Sequence, residues 1–166
     1  GTLEERKNAL SIVKALKETT HHMVFVGKTK AYAEKLKSYV QENNMQERVL
    51  FINHIGIEDL AGVYQNARVF CYPSIFEGFG IPIIEALYSG VPVITTKGGC
   101  FSEAGGPSSI YIDSENENDL KNAIETLFTE SNESRKKRIK KGFDFVQKFN
   151  DETLAHQWDA LYKSLL

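Results

Sequence analysis

The chain has 166 residues, of which 42% are hydrophobic and 25% charged, a balance that excludes a disordered segment and gives one domain enough apolar material for a core. A net charge of −2 argues against nucleic acid, and against a general attraction to anionic membranes. Two cysteines, Cys71 and Cys100, are too few for a disulfide scaffold and fit reduced thiols in a cytoplasmic protein.

The pattern begins with a helix expected over Glu4–Glu18, whose apolar face is Ala9, Ile12, Val13 and Leu16. MVFV at Met23–Val26 reads as a strand closed by Gly27, and Ala31–Asn43 as an amphipathic helix turned inward by Leu36, Tyr39 and Val40. A second strand is expected at Val49–Ile52, a short helix at Ile57–Gln65, and a third strand at Val69–Tyr72. Pro82–Ser89 reads as a helix, with Pro in its first turn and Gly90 beyond its end. Strands at Val93–Thr95 and Ile110–Ile112 follow, then helices over Glu117–Thr129, Ser134–Gln147 and Asp151–Leu165. No run approaches the roughly 18 apolar residues that a membrane span needs, and no signal-peptide pattern opens the chain. The chain starts abruptly at Gly1, so an N-terminal region outside it could carry targeting.

Short, nearly all-apolar strands that alternate with helices read as a parallel sheet covered on both faces, an α/β, Rossmann-like doubly wound domain. Ligands of such sheets bind beyond the carboxyl ends of the strands. PSIFEGFGIPIIEALYSGVPVITT, Pro73–Thr96, leaves one of those ends. It holds Glu77 and Glu85 with seven residues between them, and Gly78-Phe79-Gly80 within that interval. The glycines let a ligand approach the backbone, whose N–H groups lie at a helix start that favours anionic or oxygen-rich groups. Glu85, about one turn into the helix, suits a vicinal diol such as the ribose 2′- and 3′-hydroxyls. Glu77, on the loop, would face a second polyol. Two acids for hydroxyls with amides between them describe a site for a nucleotide sugar. Taken singly, Glu85 reads as a dipole-compensating acid, Glu77 as a solvated loop acid, and Gly-Phe-Gly as a turn with a packed aromatic.

EGFGIPIIEALYSGVPVITT resembles the E-x7-E signature of the retaining glycosyltransferases of family 4, the glycosyltransferase group 1 domain. ERKN at Glu5–Asn8, VFVG, VLFINHI, EDLAGVYQNARVFCYPS, SEAGG and the closing QKFNDETLAHQWDALYKSLL follow that family's order along most of the chain. The resemblance implies the C-terminal, donor-binding half of a GT-B enzyme. It implies retention at the transferred sugar, no metal and no cofactor, a UDP- or GDP-sugar as substrate, and a role such as polysaccharide biosynthesis. It assigns Glu85 to the ribose, Glu77 to the transferred sugar, and the Gly78, Phe79 and Gly80 amides to sugar and phosphate. Lys7 would neutralise the diphosphate. The family pairs this lysine with an arginine just after the first strand, where Gly1 and Thr2 stand here, so Arg6 is either its substitute or a solvated helix-start residue. Gly27 and Lys28 are further donor-side candidates, Lys28 otherwise being loop charge. The base would lie near Asn53–Ile55, with Ile55 against it. The acceptor would belong to an absent N-terminal domain. The full enzyme would be cytoplasmic, compatible with peripheral association at the inner face of the membrane.

Other features read as structural. RKKRIKK, Arg135–Lys141, is expected to be a solvated helix face. His21, His22, His54 and His156 are scattered, and no Cys/His spacing forms a zinc site. Gly98-Gly99 lacks dinucleotide spacing and only Gly27 follows the first visible strand, which counts against a dehydrogenase. A non-catalytic nucleotide- or carbohydrate-binding module remains the other alternative. A doubly wound sheet normally opens with a strand that becomes central, yet this chain opens directly into helix. The expectation is a fragment whose sheet is interrupted beside that position, with neighbours, solvent or a partner strand compensating.

Overall fold

The computed structural model describes residues 1–165, so Leu166, the last residue of the closing stretch, lies outside the described residues. The opening departs from the single helix expected over Glu4–Glu18. A 3-10 turn over Glu5–Lys7 ends at Asn8, whose φ of 52° is left-handed, and helix α1 runs over Ala9–Leu16. Asparagine tolerates this conformation better than most residues. Here its Nδ2 is also tied to the Ser114 carbonyl at 3.0 Å. The break takes Arg6 and Lys7 off the helix and leaves them beside the end of a strand.

Strand β1 spans Met23–Val26, α2 Ala31–Glu42, β2 Val49–Ile52, α3 Ile57–Asn66 and β3 Phe70–Tyr72. Then come α4 over Ile81–Tyr88, β4 over Val93–Thr96, α5 over Phe101–Gly105 and β5 over Ile110–Ile112. Helices α6, Glu117–Thr129, α7, Asn132–Val146, and α8, Asp151–Ser164, complete the chain. The five expected strands are present, β3 one residue shorter than read. Helix α7 starts two residues before Ser134 because the Ser131 side chain accepts from the Ser134 N–H and caps it. Helix α5 and the 3-10 turns at Gly106–Ser108 and Gln147–Phe149 were not in the reading, being too short for apolar periodicity.

Every strand pairing is parallel. β1 pairs with β2 from Met23↔Val49 to Val26↔Ile52, and a separate ladder has the order β3-β4-β5. Among the described residues no strand joins β1 to β3. The opening residues lie between their carboxyl ends instead. The Gly1 nitrogen donates to the Val26 carbonyl at 2.8 Å and the Leu3 N–H to the Lys28 carbonyl at 3.0 Å, while the Arg6 carbonyl accepts from the Ile75 N–H at 2.7 Å.

Adjacent strand residues face opposite ways. Ile94, with Phe25 and Ile112, packs on Ile12 and Val13 of α1, Leu36 of α2 and Leu120 of α6. Val93, with Tyr72, packs on Ile83 and Leu87 of α4 and Phe101 of α5. One core on each face makes this the Rossmann-like doubly wound α/β fold that the pattern predicts. On α7 the expected solvated face holds for the lysines only. Lys137 and Lys140 pair in water with Glu133 and Asp144, whereas Arg135 donates to the Arg68 carbonyl and Arg138 to Glu130 and the Ser108 carbonyl. Among the described residues, no helix is long and apolar enough to cross a membrane.

Gly27 shows how tightly the opening segment is seated. Its φ is +149°, and a Cβ there would lie 1.4 Å from the Gly1 carbonyl oxygen. Gly62 of α3, by contrast, has nothing within 4 Å of an added Cβ. In urea denaturation, Gly27→Ala should therefore lose at least about 2 kcal/mol, and Gly62→Ala should gain roughly 0.5–1 kcal/mol of helix propensity.

Candidate functional site

The loop from Pro73 to Gly80 leaves the carboxyl end of β3 and enters α4. Its main chain is pinned along its length. Thr95 and Thr96 of β4 donate through Oγ1 to the Tyr72 carbonyl (2.9 Å) and the Ser74 carbonyl (2.7 Å). Arg6 Nη1 donates to the Phe76 carbonyl at 3.1 Å, and Cys100 Sγ to the Glu77 carbonyl at 3.4 Å. Gly80, at φ +106°, turns the chain into α4, and a Cβ there would meet Ile83 Cδ1 at 3.1 Å and Ala104 Cβ at 3.4 Å. Gly78 has open space where a Cβ would stand. Phe79 packs edge-on against Phe149, with ring centres 5.6 Å apart. Among the described residues, the N–H groups of Gly78, Phe79 and Gly80 have no acceptor.

Glu77 is largely buried, with only 12% of its side chain exposed. Its Oε1 accepts from Tyr72 Oη at 2.8 Å and Ser74 Oγ at 3.1 Å. The same oxygen pairs with Arg6 Nη1 at 2.7 Å and lies 3.5 Å from Lys7 Nζ. Burial alone would raise its pKa. The hydrogen bonds from Arg6, Tyr72 and Ser74, with the Lys7 charge, outweigh it and hold the carboxyl below the usual range. Its Oε2 has no protein partner among the described residues.

Glu85 stands exposed, one turn into α4. Tyr64 of α3 donates to its Oε2 at 3.0 Å, and no partner is found for Oε1 among the described residues. Burial, then the neighbouring Glu85 charge and hydrogen bond, push the Tyr64 phenol well above its ordinary pKa. Burial and the Glu77 hydrogen bond do the same to Tyr72. Both phenols thus remain donors across the physiological range.

The structure brings Arg6, Lys7, Glu77, Gly78, Phe79 and Gly80 to one place. It makes Arg6 a half-exposed ion-pair partner of Glu77 and Glu4 rather than a free helix-start residue. Gly27 lies beyond β1 with its conformational freedom taken up by the Gly1 carbonyl. Lys28 is exposed on the same loop, its carbonyl accepting from Leu3. Ile55 is half-buried between β2 and α3, the helix that carries Tyr64. Sequence reasoning missed Tyr64, Tyr72 and Ser74. Ser74, three residues before Glu77 at a strand exit, carried a readable signal as a local hydrogen-bond partner. Tyr72 read only as one more apolar strand residue, and nothing along the chain links Tyr64 to Glu85.

Comparison with known proteins identifies the family. The profile of the family described as "Glycosyl transferases group 1" matches residues 1–145. The O-antigen chain mannosyltransferase RfbU of Salmonella typhimurium is 28% identical over 163 residues, covering 97% of this chain and 43% of its own. Sucrose-phosphate synthase from Thermosynechococcus elongatus superposes with a TM-score of 0.86 at 31% identity, over 98% of this chain and 43% of that one. The C-terminal domain of a glycosyl transferase group 1 family protein, LpcC of Francisella tularensis, superposes with a TM-score of 0.79 at 21% identity, over 89% of this chain and 82% of that one. This chain thus spans less than half the length of RfbU and of sucrose-phosphate synthase. Its fold is that of the C-terminal half of a GT-B glycosyltransferase, and the chain belongs to the glycosyl transferases group 1 family.

Proposed function

We propose that this chain binds the donor of a retaining, metal-independent glycosyltransferase, a UDP- or GDP-sugar. One observation carries the reading. Glu77 and Glu85 flank a Gly-Phe-Gly stretch that is open at Gly78, each with one carboxylate oxygen held by a phenol and the other without a partner among the described residues. Glu85 takes the ribose hydroxyls and Glu77 those of the transferred sugar. The amides of Gly78, Phe79 and Gly80, at the start of α4, receive sugar and phosphate oxygens. Lys7, with Arg6, stabilises the charge that gathers on the diphosphate as the bond from the sugar's C1 to its oxygen breaks. Lys28 and Ile55 stand on the same carboxyl edge, Ile55 beside the base.

In this reading the acceptor, a glycan or lipid, is held by a further N-terminal domain of the full-length protein, consistent with the share of its relatives that the chain matches. The full enzyme works in the cytoplasm, with peripheral contact to the inner face of the membrane, and the O-antigen relative supports a polysaccharide product. Calorimetric titration with UDP, GDP and NAD tests the core claim. Binding of UDP or GDP but not NAD supports it, whereas preferential binding of NAD returns the protein to the dehydrogenases.

Glu85→Ala should weaken bare UDP or GDP about tenfold or more, and Glu77→Ala should spare the bare nucleotide while weakening the nucleotide sugar by a similar factor. Equal losses on both ligands in calorimetry would overturn the assignment of roles. Activity of the full-length enzyme should be indifferent to EDTA, and loss with EDTA followed by recovery with manganese would remove the metal-independent account. The third expectation concerns pH. Because the folded pKa of Glu77 is depressed, its ionised form stabilises the fold above its unfolded pKa, near 4.5. That contribution disappears as pH falls through the lower folded value. Arg6→Gln removes the leading contribution that opposes burial, so the acid limb of both stability and donor binding should move to higher pH, as measured by urea titration and calorimetry between about pH 3 and 6.

A further inference from the structure

Tyr64 and Tyr72 belong to one row of rings. Tyr64 meets Phe70 edge-on, with centroids 5.3 Å apart and planes at 65°, and Phe70 stacks on Tyr72 at 5.8 Å and 19°. Phe70 and Tyr72 are two residues apart on β3, so their side chains share a face of the strand. The two outer rings of the row end in hydroxyls, and each hydroxyl goes to a different glutamate. Tyr64 Oη donates to Glu85 Oε2 at 3.0 Å and Tyr72 Oη to Glu77 Oε1 at 2.8 Å.

Glutamate has three rotatable bonds, and holding its head in one place costs rotamer entropy. When that cost is met on folding, the ligand does not meet it on binding. A phenol is suited to the task because its ring is fixed by packing and only its hydroxyl is polar. Lys7 adds to the arrangement at the Glu77 end. Its Nζ lies 3.1 Å from Tyr72 Oη and 5.0 Å from the centre of that ring, and the contact with the ring face stays when the hydroxyl is removed.

We infer that Tyr64 and Tyr72 are positioning residues for donor binding, Tyr64 aiming the free oxygen of Glu85 and Tyr72 that of Glu77, with Phe70 as the spacer that keeps the two phenols in register. The inference rests on the donor-binding reading above and extends it to two residues outside the E-x7-E stretch. Neither tyrosine touches ligand in this arrangement. Burial keeps both hydroxyls protonated, so each remains a donor at every pH at which the site works.

The test is a pair of double-mutant cycles on the full-length protein, read by calorimetry with UDP and UDP-glucose or with GDP and GDP-mannose, whichever pair binds. Tyr64→Phe should weaken the bare nucleotide about fivefold in the wild-type background and have no effect in Glu85→Ala. Tyr72→Phe should spare the bare nucleotide, weaken the nucleotide sugar about fivefold, and have no effect in Glu77→Gln. It should also move the acid limb of nucleotide-sugar binding upward, since Glu77 loses a hydrogen bond to its charged form. Phenylalanine keeps the ring row, so a purely structural role would give equal losses in both backgrounds and with both ligands, and that result overturns the inference. So does unchanged affinity in either tyrosine variant while the glutamate variants lose theirs. If the glutamate variants also bind normally, the donor-binding reading itself fails and takes the inference with it.

Discussion

One oxygen atom, Glu77 Oε1, gathers the carboxyl edge of the sheet. Tyr72 from the end of β3, Ser74 from the loop, and Arg6 and Lys7 from the turn before α1 all converge on it. A largely buried carboxylate is costly unless its lost hydration is replaced by donors of this kind. Satisfying it therefore requires the opening segment to lie against the exit of β3. Arg6 extends the constraint through Glu4 to Lys30, at the start of α2. The β1-β2 pair and the β3-β4-β5 ladder, which share no strand pairing among the described residues, are thus linked across their carboxyl ends by charge as well as by their common core.

What the sequence made legible is what local pattern controls. MVFV, VLFI and IYI are runs of apolar and β-branched or aromatic residues, and they are strands with the expected bounds. The helices with long amphipathic periods are likewise where the period puts them. The misread opening depended on a distant partner. Asn8 interrupts what composition presents as a continuous helix, and the carbonyl it reaches belongs to Ser114, 106 residues away. Apolar periodicity also says nothing of five-residue helices such as α5.

The site divides the same way. Glu77, Glu85 and the glycines between them could be found because their spacing along the chain is itself the signal. Arg6 was ambiguous because its meaning depends on a carboxylate 71 positions later, which only the fold supplies. Tyr64 reaches Glu85 across 21 residues by way of helix packing, and no pattern encodes that. The residues of the E-x7-E spacing were legible in this chain, and most of the residues that hold them were not.

Gly78 and Gly80, two positions apart, are glycines for different reasons. At Gly80 the backbone is left-handed, and Ile83 and Ala104 already occupy the space behind it. At Gly78 φ lies outside that region, and nothing stands near where a side chain would begin. Selection for folding alone would hold the first and be blind to the second. In a descendant under no demand but folding, Gly80 would persist while Gly78 drifted to ordinary residues. A glycine kept at the first position therefore reports a demand made at the open surface of the loop and not by its fold.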